Sequence, residues 1–161
     1  MTEIKNLLND NDSILAFDMD GVLAKMEWGK RNHFTLVDED FKNACEEKVI
    51  EFGEDKVSKT MLKFIQSKDV NKMYVITKVY SEREGDFKKK FAKKYYNIPE
   101  ENFYCVSENK NKVDVLNTIK NRHQNIADEN IIIIDDSTEV LNEVMKKTNY
   151  STVHISSFLD W

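Results

Sequence analysis

Four aspartates stand directly after two apolar runs of the chain. Asp18 and Asp20 follow the run at 14–17, and Asp135 and Asp136 follow four consecutive isoleucines. If both runs are parallel strands of one sheet, the four carboxylates meet at one edge, where they repel one another unless a cation lies among them. Carboxylate oxygens are the ligands that Mg²⁺ prefers. The pattern therefore predicts a magnesium site formed by these four residues.

A hydroxyl and an ammonium group are expected at the same edge. Thr77 follows the apolar run at 73–76, and Lys112 stands just before a stretch with helical spacing. A carboxylate can attack phosphorus to give an aspartyl-phosphate, while a metal ion and a lysine offset the charge of the phosphoryl group. The two aspartates alternate along the strand end, so they can have different roles: Asp18 could attack in line, while Asp20 protonates the leaving oxygen and later activates water. Thr77 would donate a hydrogen bond to a phosphoryl oxygen.

A parallel sheet would bring these residues together, and the apolar pattern of the chain predicts such a sheet. Strand-like runs alternate with stretches of helical spacing; the runs lie at 14–17, 73–76, 103–106, 131–134 and 152–155. Four consecutive isoleucines are typical of a strand buried on both faces. Four Gly and one Pro are too few for the many turns of a sandwich or barrel. The pattern predicts an α/β protein with a three-layer, Rossmann-like, doubly wound parallel sheet of five strands.

The order of these motifs resembles that of the haloacid dehalogenase superfamily of phosphatases and phosphotransferases. Its first motif, a hydrophobic strand followed by Asp-x-Asp-Gly-Val, matches residues 14–22. Its second, a Thr or Ser after the next strand, matches Thr77, and its third, a Lys at a helix start, matches Lys112, with Lys110 as the alternative. Its fourth, a strand followed by paired acids, matches residues 131–136. The resemblance extends from about residue 13 to 155.

This resemblance implies a role for each of the acidic residues. It implies a Mg²⁺-dependent hydrolase in which Asp18 is the nucleophile and Asp20 is the acid and base. Asp20 would also give the metal ion its backbone carbonyl oxygen. Asp136 would bind Mg²⁺ directly, and Asp135 would bind it directly or through water.

A closer similarity concerns the 5′(3′)-deoxyribonucleotidases. Their first motif is similar to residues 18–24, and their fourth fits residues 134–136. The chain departs from them at Lys25-Met26, where they have an acidic residue and an aromatic one, and at Ser137, where they have an Arg. The similarity makes nucleoside and deoxynucleoside monophosphates the leading class among small phosphorylated substrates.

A short insert is predicted at about residues 25–55, within a single domain that spans residues 1–161. The insert is long enough for a flap and one or two helices. Five of its residues combine aromatic rings with hydrogen-bond donors just behind Asp20 and are candidates for reading the substrate, with local packing as the alternative: Trp28, Lys30, Arg31, His33 and Phe34.

Two other functions are compatible with the same residue types. Response-regulator receivers also place acidic residues, a Thr and a Lys around Mg²⁺. Their acid pair comes first and their lysine last, whereas here the Asp-x-Asp comes first and the acid pair follows Lys112, an order that favours the enzyme. A third hypothesis is a catalytically silent module that binds phosphates on the same scaffold. Asp135 and Ser137 are also residue types that cap helices, and such a role is compatible with metal binding.

Composition and charge exclude several classes of protein. The chain has 161 residues and a net charge of −5, which argues against a general nucleic-acid-binding protein. No apolar run approaches the length of a membrane span, and the first residues do not form a secretory signal, so we expect a cytoplasmic protein. Cys45 and Cys105 are too far apart in sequence to form a metal-binding pair. The sequence leaves the oligomeric state open.

A run rich in lysine and aromatic residues lies at 88–96. Phe87, Phe91 and Tyr95 are spaced by four residues, so we expect the aromatic rings to face the core and the lysines to face water. A surface for a phosphate-rich partner is the alternative. The three histidines have no ligand spacing, and we expect each to be an ordinary core or surface residue.

Overall fold

The computed structural model describes residues 2–26, 39–40, 43, 53–107 and 111–159. Five helices and five strands alternate through most of this part of the chain: α1 (Thr2–Asn9), β1 (Ile14–Phe17), α2 (Lys59–Ile65), β2 (Met73–Lys78), α3 (Glu82–Tyr96), β3 (Phe103–Val106), α4 (Lys112–Arg122), β4 (Ile131–Asp135), α5 (Thr138–Lys147) and β5 (Ser151–His154). Short 3₁₀ turns precede β2, β3 and β4.

The five strands form one parallel sheet in the order β3-β2-β1-β4-β5. β1 is therefore central, between β2 and β4. The chain begins at the centre, moves outward to β3, returns through α4 to β4, and ends at β5. This confirms the predicted α/β architecture with a five-stranded parallel sheet, consistent with a Rossmann-like fold.

Helices cover both faces of the sheet, because alternate residues of each strand point to opposite sides. Leu15 and Phe17 pack on one side with residues of α1, α2 and α3. Ile14 and Ala16 pack on the other side with residues of α4 and α5. The four isoleucines of β4 divide evenly between these two clusters, and each is fully buried. The predicted strand buried on both faces is thus confirmed.

Helix α1 was not predicted from the sequence. It is held to the amino-terminal edge of the sheet through Leu8, which is buried. The Lys68 ammonium donates to the Leu8 carbonyl at 2.7 Å, and Lys72 donates to the Asn11 carbonyl at 2.7 Å. Two lysines from the segment before β2 therefore fix the end of α1 and the turn that follows it.

The prediction that the lysines of the run at 88–96 face water is wrong for Lys88, which is fully buried. Phe91 is buried as expected, but Phe87 is 40% exposed. The inward face of α3 includes Glu84 and Lys88 besides apolar residues. Burial of these two charges is possible because Lys88 pairs with Glu84 and also with Asp20.

Most of the predicted insert at 25–55 lies outside the described residues, as do all five candidate substrate-reading residues between Trp28 and Phe34. Cys45 and Lys110 also lie outside them. Among the helices that the structure does describe, none has the length and apolar character needed to cross a membrane.

Candidate active site

A tight turn follows β1 and carries the Asp-x-Asp-Gly motif. Gly21 has a positive φ of 74°, a backbone conformation that glycine adopts without steric cost. Its N–H donates to the Ala24 carbonyl at 2.8 Å, and the Ala24 N–H donates to the Met19 carbonyl at 2.8 Å. The buried Tyr96 hydroxyl donates to the Leu23 carbonyl at 2.6 Å. The turn is therefore fixed both internally and by α3, which gives the two aspartates a defined direction.

The register of the sheet brings the acidic residues of β1 and β4 together. Phe17 is paired with Ile134, and the Asp18 N–H donates to the Ile134 carbonyl at 2.9 Å. Asp18 and Asp135 therefore extend from the same level of neighbouring strands. Asp136 comes next and contacts the turn after β1, since a Cβ at Gly21 would lie 2.1 Å from its Oδ2.

Three aspartates form a cluster at this edge. Asp18, Asp135 and Asp136 each offer a carboxylate oxygen, and these three atoms lie within 4.8 Å of one another. We call them the three-aspartate cluster. The Lys112 ammonium lies beside it, 2.8 Å from Oδ1 of Asp18 and 2.7 Å from Oδ2 of Asp135. The donor atoms are hard oxygens, which suit a small divalent cation such as Mg²⁺.

Helix starts hold two members of this arrangement in place. Lys112 is the first residue of α4, whose N-cap Asn111 accepts from the Asp114 N–H. Oδ1 of Asp135 accepts from the Ser137 N–H at 2.9 Å, and Ser137 is itself the N-cap of α5. Both carboxylate oxygens of Asp135 thus have partners within the protein. Asp136, in contrast, is exposed.

The cluster concentrates negative charge, and the pKa values respond to it. Although part of Asp136 faces solvent, the atoms packed around its carboxyl group partly desolvate it; this desolvation, followed by the charges of Asp18 and Asp135, raises its pKa to about 6. Burial and the Asp18 charge also raise the pKa of Asp135, although Lys112 opposes them. Burial alone lowers the pKa of Lys112, but the two carboxylates outweigh it and raise the pKa. The site therefore stabilises positive charge.

A second group of charges lies around Asp20. The Lys88 ammonium is 2.5 Å from Oδ2 of Asp20 and 2.5 Å from Oε1 of Glu84. It also donates to the Lys78 carbonyl at 3.0 Å and lies 3.4 Å from the Thr77 hydroxyl. We call Lys88 and these partners the Lys88 network. It joins the end of β2, the inward face of α3 and the turn after β1.

The Asp20 carboxyl group has one engaged oxygen and one without a protein partner. Oδ2 accepts a hydrogen bond from the Lys88 ammonium, whereas Oδ1 is buried and has no hydrogen-bond partner in the described part of the chain. Burial raises the pKa of Asp20 to about 6; the Lys88 charge opposes this rise, and the Asp18 charge adds to it. A carboxyl group whose pKa is raised toward neutral pH exchanges a proton with a neighbouring oxygen more readily than an ordinary aspartate does.

The structure places the predicted residues in two adjoining groups. Asp18, Asp135, Asp136 and Lys112 form the first group. The side chains of Asp20 and Thr77 belong to the second, and Thr77 is fully buried with its hydroxyl donating to the Lys78 carbonyl at 3.2 Å. The predicted hydrogen bond from Thr77 to a phosphoryl oxygen would therefore need this hydroxyl to turn.

Lys88 and Glu84 were not predicted as site residues. In sequence they form a Glu–Lys pair four residues apart, a spacing that is typical of exposed helix surfaces. Five lysines occur between positions 88 and 94, and only one of them reaches the site. The available signal in the sequence was the position of Lys88 on α3 relative to the apolar residues. That signal gave the wrong face, because Phe87 was expected to face the core but is 40% exposed.

An open groove lies beside the Lys88 network, at the carboxyl ends of β2 and β3. Its volume is about 430 Å³, and Tyr80, Ser81, Lys89 and Ser107 are among its lining residues. It opens on the edge of the sheet to which Thr77 belongs.

Comparison with models of known protein families gave no matching family, and comparison with curated proteins gave no matching relative.

Proposed function

We propose that the protein is a Mg²⁺-dependent phosphomonoester hydrolase of the haloacid dehalogenase type. The observation that carries this proposal is the arrangement of the three-aspartate cluster and Lys112, with the Asp20 carboxyl group two residues from Asp18. A nucleophile, a cation-binding donor set and a proton donor are thereby available at one edge of the sheet. In open α/β sheets this edge is where ligands bind.

The reaction would proceed in two steps. A carboxylate oxygen of Asp18 attacks phosphorus and the bond to the leaving oxygen breaks, while the proton of Asp20 moves to that oxygen. The alcohol leaves, and Asp18 carries the phosphoryl group as an acyl phosphate. Asp20, now a carboxylate, removes a proton from water, which attacks phosphorus and releases inorganic phosphate and free Asp18.

The remaining polar groups would bind the phosphoryl group and the cation. Asp18 and Asp136, with the backbone carbonyl of Asp20, would hold Mg²⁺, and Asp135 would support it directly or through water. When bound, Mg²⁺ supplies positive charge that offsets the charge of the phosphoryl oxygens. Lys112 adds a second positive charge at Asp18. Thr77 would donate to a phosphoryl oxygen.

Nucleoside and deoxynucleoside monophosphates are the leading substrate class. Support for this comes from the similarity of residues 18–24 to the first motif of 5′(3′)-deoxyribonucleotidases. A groove of about 430 Å³ lies at the carboxyl ends of β2 and β3, the same edge of the sheet, although none of its lining residues belongs to the three-aspartate cluster or to the Lys88 network. Its lining includes both an aromatic ring and hydrogen-bonding groups, which suit a nucleoside.

The test is hydrolysis of p-nitrophenyl phosphate by the purified protein in Mg²⁺ and in chelator. We expect turnover that needs Mg²⁺ and is abolished in Asp18→Asn. The matched control is Asp114→Asn, the same change at an exposed carboxylate of α4, which should keep full activity. A panel of nucleotides and sugar phosphates then identifies the substrate class.

Absence of wild-type turnover on the generic ester and on the whole panel would refute the hydrolase. Two further measurements would then separate the alternatives. Stable labelling of Asp18 by acetyl phosphate would indicate a receiver-like switch. Binding of a phosphate analogue without labelling or turnover would indicate a silent phosphate-binding module.

A further inference from the structure

We propose that Lys88, held in place by Glu84, is a positioning residue that aims the Asp20 carboxyl group at the leaving oxygen of the substrate. This inference rests on the proposed hydrolase and adds two residues of α3 to its machinery. None of the contacts described above joins Lys88 or Glu84 to the three-aspartate cluster. Their effect on the reaction would pass through Asp20.

The geometry fixes Asp20 in one orientation. Lys88 is fully buried and reaches Oδ2 of Asp20 at 2.5 Å, on the side of α3. The ammonium is itself fixed by Oε1 of Glu84 at 2.5 Å and by the Lys78 carbonyl at 3.0 Å. Because Oδ2 is held, Oδ1 is the oxygen left for another partner; it is buried and has no hydrogen-bond partner within the described residues.

Glu84 is in turn fixed by the loop after β2. Its Oε2 accepts from the Tyr80 N–H at 2.8 Å, and its side chain is 2% exposed. The chain of contacts thus extends from the backbone of one loop, through Glu84 and Lys88, to the turn after β1. A carboxyl group at the end of such a chain has little freedom to rotate away from its partner.

Burying the charges of Lys88 and Glu84 has a cost in the free energy of folding. Two buried charges lose their hydration, and apolar side chains of similar size often give equal or greater stability. The aliphatic stem of Lys88 could pack there without its charge. The ammonium has a clear use only if the direction of the Asp20 carboxyl group matters to the protein.

A well-aimed acid matters most for substrates whose leaving group is basic. An alkoxide or phenoxide needs a proton as the P–O bond breaks, whereas p-nitrophenoxide leaves as a stable anion. The step is a simple transfer: the proton of Asp20 passes to the leaving oxygen, and Asp20 becomes a carboxylate beside Lys88. Loss of positioning should therefore make kcat/KM depend more strongly on the basicity of the leaving group.

The experiment compares kcat/KM for phenyl phosphate and p-nitrophenyl phosphate, which are nearly the same in shape. Because kcat/KM covers only the steps up to the first irreversible one, it excludes hydrolysis of the phosphorylated Asp18. In Lys88→Met we expect a loss of about 100-fold on phenyl phosphate and of under about 5-fold on p-nitrophenyl phosphate. Asp20→Asn should give the same profile, and Lys88→Met in that background should add little.

Two further variants separate positioning from folding. Lys90→Met makes the same change at an exposed position of α3 and should leave both rates unchanged. Lys88→Met alone leaves Glu84 buried without its partner, so the double variant Glu84→Gln/Lys88→Met removes both charges and should fold. Gln can still accept from the Tyr80 N–H. The double variant should keep the selective loss on phenyl phosphate.

Equal losses on the two esters in folded Lys88 variants would overturn the proposal, because a merely structural lysine affects both alike. Unchanged rates would overturn it as well. If the wild type itself turns over neither ester with Mg²⁺, the hydrolase and this inference fail together. If the wild type is active and only Asp18→Asn is dead, the hydrolase stands and the role of Lys88 falls.

Discussion

Replacing Gly21 by alanine tests the geometry on which the site depends. Gly21 has a φ of 74°, which costs a residue with a Cβ about 1–2 kcal/mol. The new Cβ would lie 2.1 Å from Oδ2 of Asp136, whereas ordinary contact begins at 3.4 Å. Either Asp136 or the turn after β1 must therefore move by about 1 Å.

Gly53→Ala is the matched control for this change. Gly53 has a φ of −91°, which any residue adopts. Among the described residues its Cβ would approach the Asp55 side chain, with Oδ1 at 2.7 Å and Cγ at 3.9 Å, and that side chain is 76% exposed and able to shift. We expect Gly53→Ala to be neutral or to stabilise by about 0.5 kcal/mol, because alanine restricts the unfolded chain.

The assay is thermal unfolding of both variants in chelator and in Mg²⁺. We expect Gly21→Ala to lose about 2 kcal/mol relative to Gly53→Ala, or roughly 5 °C in Tm for a chain of this size. From the proposed Mg²⁺ site we expect Mg²⁺ to raise the Tm of the wild type. This rise should shrink in Gly21→Ala, because Asp136 is displaced; tenfold weaker binding removes about 1.4 kcal/mol at saturation. If both variants melt together and gain equally from Mg²⁺, the close contact between Gly21 and Asp136 is refuted.

Three other predictions concern single residues of the site. Lys112→Met should lower the free energy of unfolding by about 3–5 kcal/mol, because the buried carboxylates lose their partner. The control is Lys147→Met, which removes an exposed ion pair and should change that free energy little. Denaturant unfolding measures both. The protonated form of Asp136 stabilises the fold fully below its ordinary pKa of 3.8, and this contribution is lost as pH rises through about 6. In chelator, the wild type should therefore lose stability relative to Asp136→Asn between pH 4 and pH 6, and parallel melting curves would contradict this. Ser137→Ala should cost about 1 kcal/mol in denaturant unfolding through loss of the N-cap of α5, and no change would show that the cap contributes nothing.

The sheet was predictable because its strands are short apolar runs with polar residues at their carboxyl ends. Four consecutive isoleucines are typical of a strand buried on both faces, and β4 has that burial. Once the strands are parallel, their ends must share one edge, so the sequence alone places Asp18 and Asp135 at the same edge. Their close approach depends on the pairing of β1 with β4, which only the structure shows. Gly21 was likewise identifiable, because a chain leaving a strand in a sharp turn needs a residue that accepts a positive φ.

The Lys88 network, in contrast, is visible only in three dimensions. Helical spacing states which residues share a face of α3, but it does not state how that face is rotated against the sheet. A rotation that buries Phe91 also turns Lys88 inward and leaves Phe87 partly exposed. The charge of a lysine predicts that its side chain is exposed unless buried carboxylates pair with it. Here those carboxylates belong to Glu84 on the same helix and to Asp20, 68 positions away in the sequence. The strand patterns of the chain thus specify the sheet and its acidic edge, whereas the packing of α3 against that sheet decides which lysine enters the site.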